Sequence, residues 1–360
     1  MRFLTIALTS SLAILGTACG GGGDGKTADS ASGGGVDLTG AGATFPQPIY
    51  NKWFHDYAAA TGVRINYQSI GSGGGIRQFS EGTVDFGASD GPMSDDEMSR
   101  TRHGPALHFP TVLGAVVMTY NLATVSQPLR LTGEVIGDIY LKKITKWNDS
   151  RIAALNPSIS LPNTDIIVVH RSDGSGTTYV FTDYLSSASA AWAQSAGGPG
   201  RGKEVNWPVG LGGQGNEGVS GQVKQTPGSI GYVELAYAKQ NRLPTAHIQN
   251  KAGEFVEPTI ASITAASEGV IAALPPDTDY RVSIVNGPGA GAYPISSFTW
   301  LLVYRTPPDA AKARKLVEFM RWMYTTGQQS AAALDYAPLP AALAQRLTER
   351  LGTIALTTTP

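Results

Sequence analysis

The chain has 360 residues, 42% hydrophobic and 15% charged, with 27 basic against 28 acidic residues and a net charge of −1. That is room for two ordinary domains, and it excludes both a disordered, charge-dominated chain and the basic excess that nucleic-acid binding needs. Glycine is over-represented at 44 residues, and a single cysteine, Cys19, excludes an intrachain disulfide and a thiolate zinc site.

Met1 and Arg2 precede an apolar run, Phe3 to Leu15, that falls short of the roughly 20 residues of a membrane span. Residues 1–18 read as a secretory signal and residues 19–35 as a flexible Gly/Ser-rich tether. Gly16-Thr17-Ala18 before Cys19 resembles a bacterial lipoprotein cleavage site, although Gly16 stands where leucine is usual. Lipidation of Cys19 would anchor the protein at the outer face of the cell membrane; ordinary cleavage would leave it soluble, and both export it. Gly20 to Thr27 satisfies the phosphate-loop pattern G-x-x-x-x-G-K-[ST], but it lacks the strand before and the helix after that the loop requires.

From Val36 onward strand and helix patterns alternate, which predicts an α/β protein. Phe45, Ile49, Trp53 and Tyr57 make one apolar face of a helix over Gln47 to Ala60, with Gly62 as its cap. Val63 to Tyr67 and Val84 to Ala88 alternate as strands, Gly71 to Gly75 reads as a tight turn, and Ser94 to Glu97 is a capping box. Beyond Pro110, Val112 to Met118 is a buried strand and Val135 to Tyr140 is helical. Ile166 to Val169 is a covered parallel strand that leads into Arg171 to Thr177 and an apolar helix with Phe181 and Leu185. Phe298 to Tyr304 is a strand, Leu316, Met320 and Met323 mark a helix closed by Gly327, and Leu343, Leu347 and Leu351 mark the last helix. Gly210 to Gly215 fits the dinucleotide pattern, but Pro208 spoils the strand it needs, so it reads as a glycine loop.

Four segments share one character: Gly40 to Pro46, Gly71 to Gly75, Gly87 to Asp90 and Arg171 to Thr177 put glycines and hydroxyls where strands end. A helix start exposes unpaired N–H groups and the positive end of the helix dipole, so it can hold an anion, although the same residues serve as ordinary caps. Arg171 and Asp173, just past an apolar strand, must be paired, as a structural ion pair or as part of a site. No G-x-S-x-G elbow surrounds Ser72 or Ser175, and the five histidines form no metal-binding or catalytic pattern.

GAGATFP at Gly40–Pro46, IGSGGG at Ile70–Gly75, VDFGASD at Val84–Asp90, RSDGSGT at Arg171–Thr177 and GYVELAYAKQN at Gly231–Asn241 together resemble one family. It is that of the phosphate-binding protein of the high-affinity phosphate ABC transporter, the PstS family, and the likeness runs from about Leu38 to near the C-terminus. The resemblance implies a two-lobed periplasmic-binding-protein fold of type II with the ligand cleft between the lobes, residues 36–110 with 293–360 forming lobe one and 111–292 lobe two. It also implies a monomeric, non-catalytic receptor without metal or cofactor. This receptor captures inorganic phosphate outside the cytoplasm, in the periplasm or at the membrane face, and delivers it to permease subunits. By position, the backbones of Thr44 and Phe45, the Thr44 hydroxyl, Ser72, Ser175, Gly176 and Thr177 would donate hydrogen bonds to phosphate. Arg171 would supply the positive charge, Asp173 would orient it, and Asp90 would accept a proton that phosphate carries and sulfate lacks. The chain departs from common members at Gly73, where serine is frequent, and at His170, where a basic residue often stands. A receptor for sulfate or molybdate, or a secreted phosphoester hydrolase using Ser175 or Ser72, are the alternatives.

Overall fold

The structure is a computed structural model that describes residues 38–195 and 198–356. The readings of the signal, the tether and Cys19 lie outside the described residues.

The chain opens with β1 (Leu38–Gly42), α1 (Gln47–Thr61), β2 (Ile65–Ser69), α2 (Ser72–Glu81), β3 (Phe86–Ser89), α3 (Asp95–Ser99) and the long β4 (Ala106–Tyr120). It continues with β5 (Arg130–Leu131), α4 (Gly133–Tyr140), α5 (Ser150–Leu155), β6 (Ile167–Arg171), α6 (Gly176–Ala188) and α7 (Ala190–Ala193). Then come β7 (Leu211–Gly213), α8 (Gly215–Gln225), β8 (Ser229–Glu234), α9 (Leu235–Asn241), β9 (His247–Gln249), β10 (Phe255–Val256) and α10 (Ile260–Ala272). The chain returns through β11 (Ser296–Tyr304), α11 (Ala310–Thr325) and α12 (Ala341–Arg350).

An eight-stranded sheet runs β2-β1-β3-β11-β4-β8-β6-β7, and a small sheet joins β10, β9 and β5. At one end β1 lies parallel to β2 and β3; at the other β6 lies parallel to β7 and β8. Between them β4 pairs antiparallel with β11 over Ala106–Ala115 and with β8 over Val116–Tyr120. One buried strand therefore belongs to both halves of this two-lobed α/β fold. The first half buries α1 through Tyr50, Trp53, Phe54 and Tyr57, of which Tyr50, Phe54 and Tyr57 meet Tyr67, Phe86 and Phe319. The second half is centred on Tyr140, Phe181 and Tyr232, with Phe181 and Tyr232 stacked at 4.3 Å between ring centroids.

Most elements fall where the pattern puts them: Gly62 caps α1 at φ 76, and Ser94 and Glu97 close both hydrogen bonds of the capping box. Four readings are corrected. β4 does not start beyond Pro110 but runs through it; the ladder shifts so that Pro110 faces Trp300, Val112 faces Thr299, and Thr111 bulges out. A proline has no N–H for the ladder, and a bulge beside it absorbs the defect. The glycine loop at 210–215 contains the edge strand β7 and the start of α8. Gly327 does not cap α11 but begins a 3-10 turn, and its carbonyl accepts the Trp53 Nε1–H at 2.7 Å.

The fourth correction concerns Gly71 to Gly75, where only Gly71 precedes the helix and α2 takes in the other glycines. Glycine costs about 1 kcal/mol in a helix relative to alanine, so close approach must select it. A Cβ on Gly75 would stand 2.3 Å from Gly42 Cα and 2.6 Å from the Ala41 carbonyl oxygen, because α2 lies directly on β1. Gly75→Ala, stabilising in a free helix, is therefore expected to lower stability here by about 1–3 kcal/mol. Urea unfolding checks this, and an unchanged or higher midpoint would show that the helix can lift off β1.

Candidate functional site

In an α/β sheet the carboxyl ends of parallel strands carry the helix starts and the ligand crevice. Here β1 leads to Thr44 and Phe45, β2 to Ser72, β3 to Asp90, β6 to the Arg171–Thr177 segment and β7 to Asn216. The expected residues form one continuous group. Gly176 lies against Ser72 and Asp90, close enough that a Cβ on it would meet the Ser72 Oγ at 2.4 Å and the Asp90 backbone N at 2.6 Å. Thr177 accepts from Arg171 and Asn216, Asn216 also donates to Thr44, and Arg171 grips Asp173. The Phe45 ring packs away from this group, near Tyr336, so only its backbone follows Thr44 into it.

The hydroxyls share one orientation. Thr44 Oγ1 accepts from the Asn216 backbone N–H at 3.2 Å and from its side-chain amide at 2.8 Å. Thr177 Oγ1 accepts from Arg171 at 3.3 Å and from Asn216 at 3.2 Å. Ser72 Oγ accepts from the Asp90 N–H at 3.2 Å, and Ser175 Oγ caps α6 by accepting from the Thr178 N–H at 3.0 Å. A hydroxyl whose lone pairs are engaged by N–H groups keeps its proton for another partner. Ser72, Gly176 and Thr177 also open helices, where backbone N–H groups have no partner within the helix. The Ser175 N–H is the exception, because it donates to the Lys203 carbonyl at 2.9 Å.

Charge is arranged with equal economy. Arg171, 3% exposed, gives Asp173 two hydrogen bonds, Nε to Oδ1 at 2.7 Å and Nη2 to Oδ2 at 2.5 Å. Burial alone would raise the Asp173 carboxyl, but the hydrogen bonds and charge of Arg171 outweigh it and hold the group below its ordinary value. Asp90, 1% exposed, is the opposite case: burial pushes it up to about 7, against the pull of the Thr299 hydrogen bond at 2.9 Å and of the Arg171 charge. Asp90 therefore switches near neutrality between a pure acceptor and a donor. The cleft can surround an anion with donors while offering one carboxylate to a proton that the anion carries.

Several supporting residues carried no sequence signal of their own. Asn216 pins Thr44 to Thr177, and its side-chain Oδ1 accepts from the Glu234 N–H at 2.8 Å. Tyr232 holds Thr178 and the Arg171 N–H, Glu234 caps α9, and Tyr237 donates to the Thr44 carbonyl, which gives the GYVELAYAKQN segment its place. Gly73 donates its N–H to the Gly174 carbonyl at 2.8 Å. His170 stacks on Trp207 and is half-buried; burial lowers its pKa, so it brings no positive charge to the cleft at neutral pH. Among the described residues no group of His, Cys, Asp and Glu is placed to hold a metal, and no helix is long and apolar enough to cross a membrane.

Comparison with known proteins adds independent findings. The PBP superfamily domain matches residues 25–326. The phosphate-binding protein PstS of Xylella fastidiosa is 46% identical over 313 residues, covering 87% of this chain and 84% of that protein. PstS of Haemophilus influenzae is 45% identical over 305 residues, covering 84% and 89%. Among solved structures, a high-affinity periplasmic phosphate-binding protein bound with phosphate superimposes with a TM-score of 0.69 at 21% identity, covering 87% of this chain and 93% of its own.

The raised pKa of Asp90 ties stability to pH. Its folded value, about 7, lies above the ordinary 3.8, so between these pH values the folded protein binds more protons and loses stability as pH rises. Asp90→Asn removes that loss. Its unfolding free energy relative to the parent, without added ligand, should rise between pH 4 and pH 7 by on the order of 4 kcal/mol and then level off. A difference that is flat across this range would mean that Asp90 titrates as an ordinary carboxylate.

Proposed function

The chain belongs to the PstS family of phosphate-binding proteins, and we propose that it is a receptor that captures inorganic phosphate for an ABC importer. The observation that carries this reading is the orientation of the cleft hydroxyls, each engaged as an acceptor by a protein N–H and so left to donate. On this reading Thr44, Phe45, Ser72, Ser175, Gly176 and Thr177 surround the phosphate oxygens with donors, the Ser175 share coming from its hydroxyl. Arg171, steadied by Asp173, supplies the charge, and no metal or cofactor is needed. Two charge-assisted hydrogen bonds leave the Arg171 guanidinium fixed in direction, so it meets the anion with little loss of freedom.

Asp90 sets the choice of anion. Phosphate near neutral pH keeps at least one proton and can donate it to the carboxylate; sulfate has none and would face a like charge with an unpaired buried acceptor. That disfavours sulfate and molybdate. A hydrolase reading is disfavoured by the same hydroxyls: Ser72 and Ser175 each accept from a backbone N–H, and neither has a histidine among its hydrogen-bond partners. The protein acts outside the cytoplasm, either lipidated at Cys19 or free, as a monomer that hands phosphate to permease subunits. Lobe one is assigned residues 36–110 and 293–360 and lobe two residues 111–292; a crossing of the chain between lobes along β4 is supported by its change of partner, which falls between Ala115 and Val116.

Calorimetric titration of phosphate-stripped protein tests the reading. One phosphate should bind per chain and survive excess sulfate, with discrimination of about 10,000-fold, as a site built around one hydrogen bond can give. Arg171→Met should weaken phosphate about 10- to 100-fold, the worth of hydrogen bonds to a charged group. Asp90→Asn should narrow the phosphate-to-sulfate ratio. No phosphate binding after proven stripping would reduce the helix starts to caps, and an unchanged ratio in Asp90→Asn would remove the proton argument.

A further inference from the structure

The segment that follows Asp90 is held from across the cleft by a residue whose own backbone supports the anion site. Lys203 Nζ lies 2.9 Å from Glu97 Oε2 and 3.3 Å from Oε1, and it donates to the Pro92 carbonyl at 3.0 Å. The Lys203 carbonyl, at the same time, accepts the Ser175 N–H at the start of α6. Both ends of this contact are thus next to the proposed phosphate ligands, Asp90 on one side and Ser175 on the other. The pair is well sheltered, with side-chain exposures of 14% for Lys203 and 27% for Glu97.

The acidic end is positioned in advance. Glu97 Oε2 also accepts the Ser94 N–H at 2.7 Å in the capping box, so its carboxylate cannot swing away without opening α3. Tyr179, on α6, lies under the same contact: Lys203 Nζ stands 5.7 Å from its ring centroid, and a Cβ on Gly91 would meet its ring at 2.7 Å. Beside this contact a cavity of about 250 Å³ reaches Asp90, lined also by Tyr179, Arg281 and Trp300. Arg281 donates to Asp95 at 2.7 Å and to the Met93 carbonyl at 3.0 Å, which fixes the far end of the segment.

We propose that Lys203 is a latch: by bridging from the Ser175 side to Glu97 and Pro92 it keeps the cleft closed over bound phosphate and sets how slowly phosphate leaves. The inference rests on the receptor reading above. A latch made after closure acts on dissociation, because truncating one partner of a sheltered charge pair changes the off-rate more than the on-rate. It is also sensitive to salt, unlike the backbone bond from Gly73 to Gly174 on another edge of the cleft.

The test uses the full-length protein loaded with radiolabelled phosphate and chased with unlabelled phosphate at low and high salt. Lys203→Met and Glu97→Gln are expected to release phosphate about 10-fold faster, with association changed less than about two-fold. Glu97→Gln keeps an oxygen for the Ser94 N–H, so its effect is not a loss of helix capping. The double variant should be no faster than either single one, and salt should speed release from the parent more than from the variants, which keep the Arg281–Asp95 pair. Lys146→Met, which removes an exposed pair with Asp165, should leave release unchanged. Release at the parent rate in both single variants, or effects that multiply in the double variant, would overturn the latch while phosphate binding stands. A parent protein that binds no labelled phosphate would overturn the receptor reading and the latch with it.

Discussion

A buried anion can be met only by donors, and a hydroxyl becomes a donor reliably when its lone pairs are already occupied. That requirement organises the cleft. Asn216 occupies Thr44 and Thr177, Arg171 adds to Thr177, the Asp90 N–H occupies Ser72, and the Thr178 N–H occupies Ser175. Each of these N–H groups comes from a different turn of the fold, so the orientation of four protons depends on the helices α2, α6 and α8 standing in register at the ends of their strands. The aromatic cores under those helices bear on the proposed site for this reason, through Tyr232 and Tyr237 in particular, whose hydroxyls tie Thr178 and the Thr44 carbonyl in place.

Two carboxylates in one cleft receive opposite treatment from their surroundings. Asp173 has a guanidinium on both its oxygens and the Gly215 N–H besides, so it stays ionised and serves Arg171. Asp90 has only hydroxyls beside it, those of Thr299 and Ser72, and no cation in contact, so burial dominates and it titrates near neutrality. Swapping these environments would leave the charge count unchanged and destroy the site: Arg171 would lose its partner and the acceptor would become permanently satisfied. Placement relative to the guanidinium, rather than the presence of acidic residues, distinguishes their roles.

Much of this was legible in the sequence because strand ends, helix caps and charge pairs are local. Ser94 to Glu97 folds as its spacing says, and the segments bearing Thr44, Ser72, Asp90 and Ser175 lie where short hydroxyl and glycine residues follow apolar strands. The failures have long-range causes. Gly73 to Gly75 read as a turn because propensity disfavours them in a helix, and only the contact of α2 with β1 reverses that. Pro110 read as a break because the bulge at Thr111 depends on β11, far along the chain. Asn216 and Lys203 were silent because an amide or a lysine in a glycine-rich loop is ordinary until its partners, Thr44 and Glu97, arrive from the other half.

The glycine excess can now be connected to closure. Gly176 opens α6 with its Cα against Ser72 and the Asp90 backbone, and Gly91 carries the chain past Tyr179, in both cases leaving no room for a Cβ. Side chains at these points would hold the two halves of the cleft apart by about an atom's width, and a donor displaced that far no longer makes a hydrogen bond. On the proposed reading, the composition that looked at first like a surplus of turns serves in part to bring two preformed sets of donors within reach of one small anion. The ionic contact at Lys203 then acts on a cleft whose backbones already touch, which is why its influence belongs to the lifetime of the closed form and not to the geometry of the site.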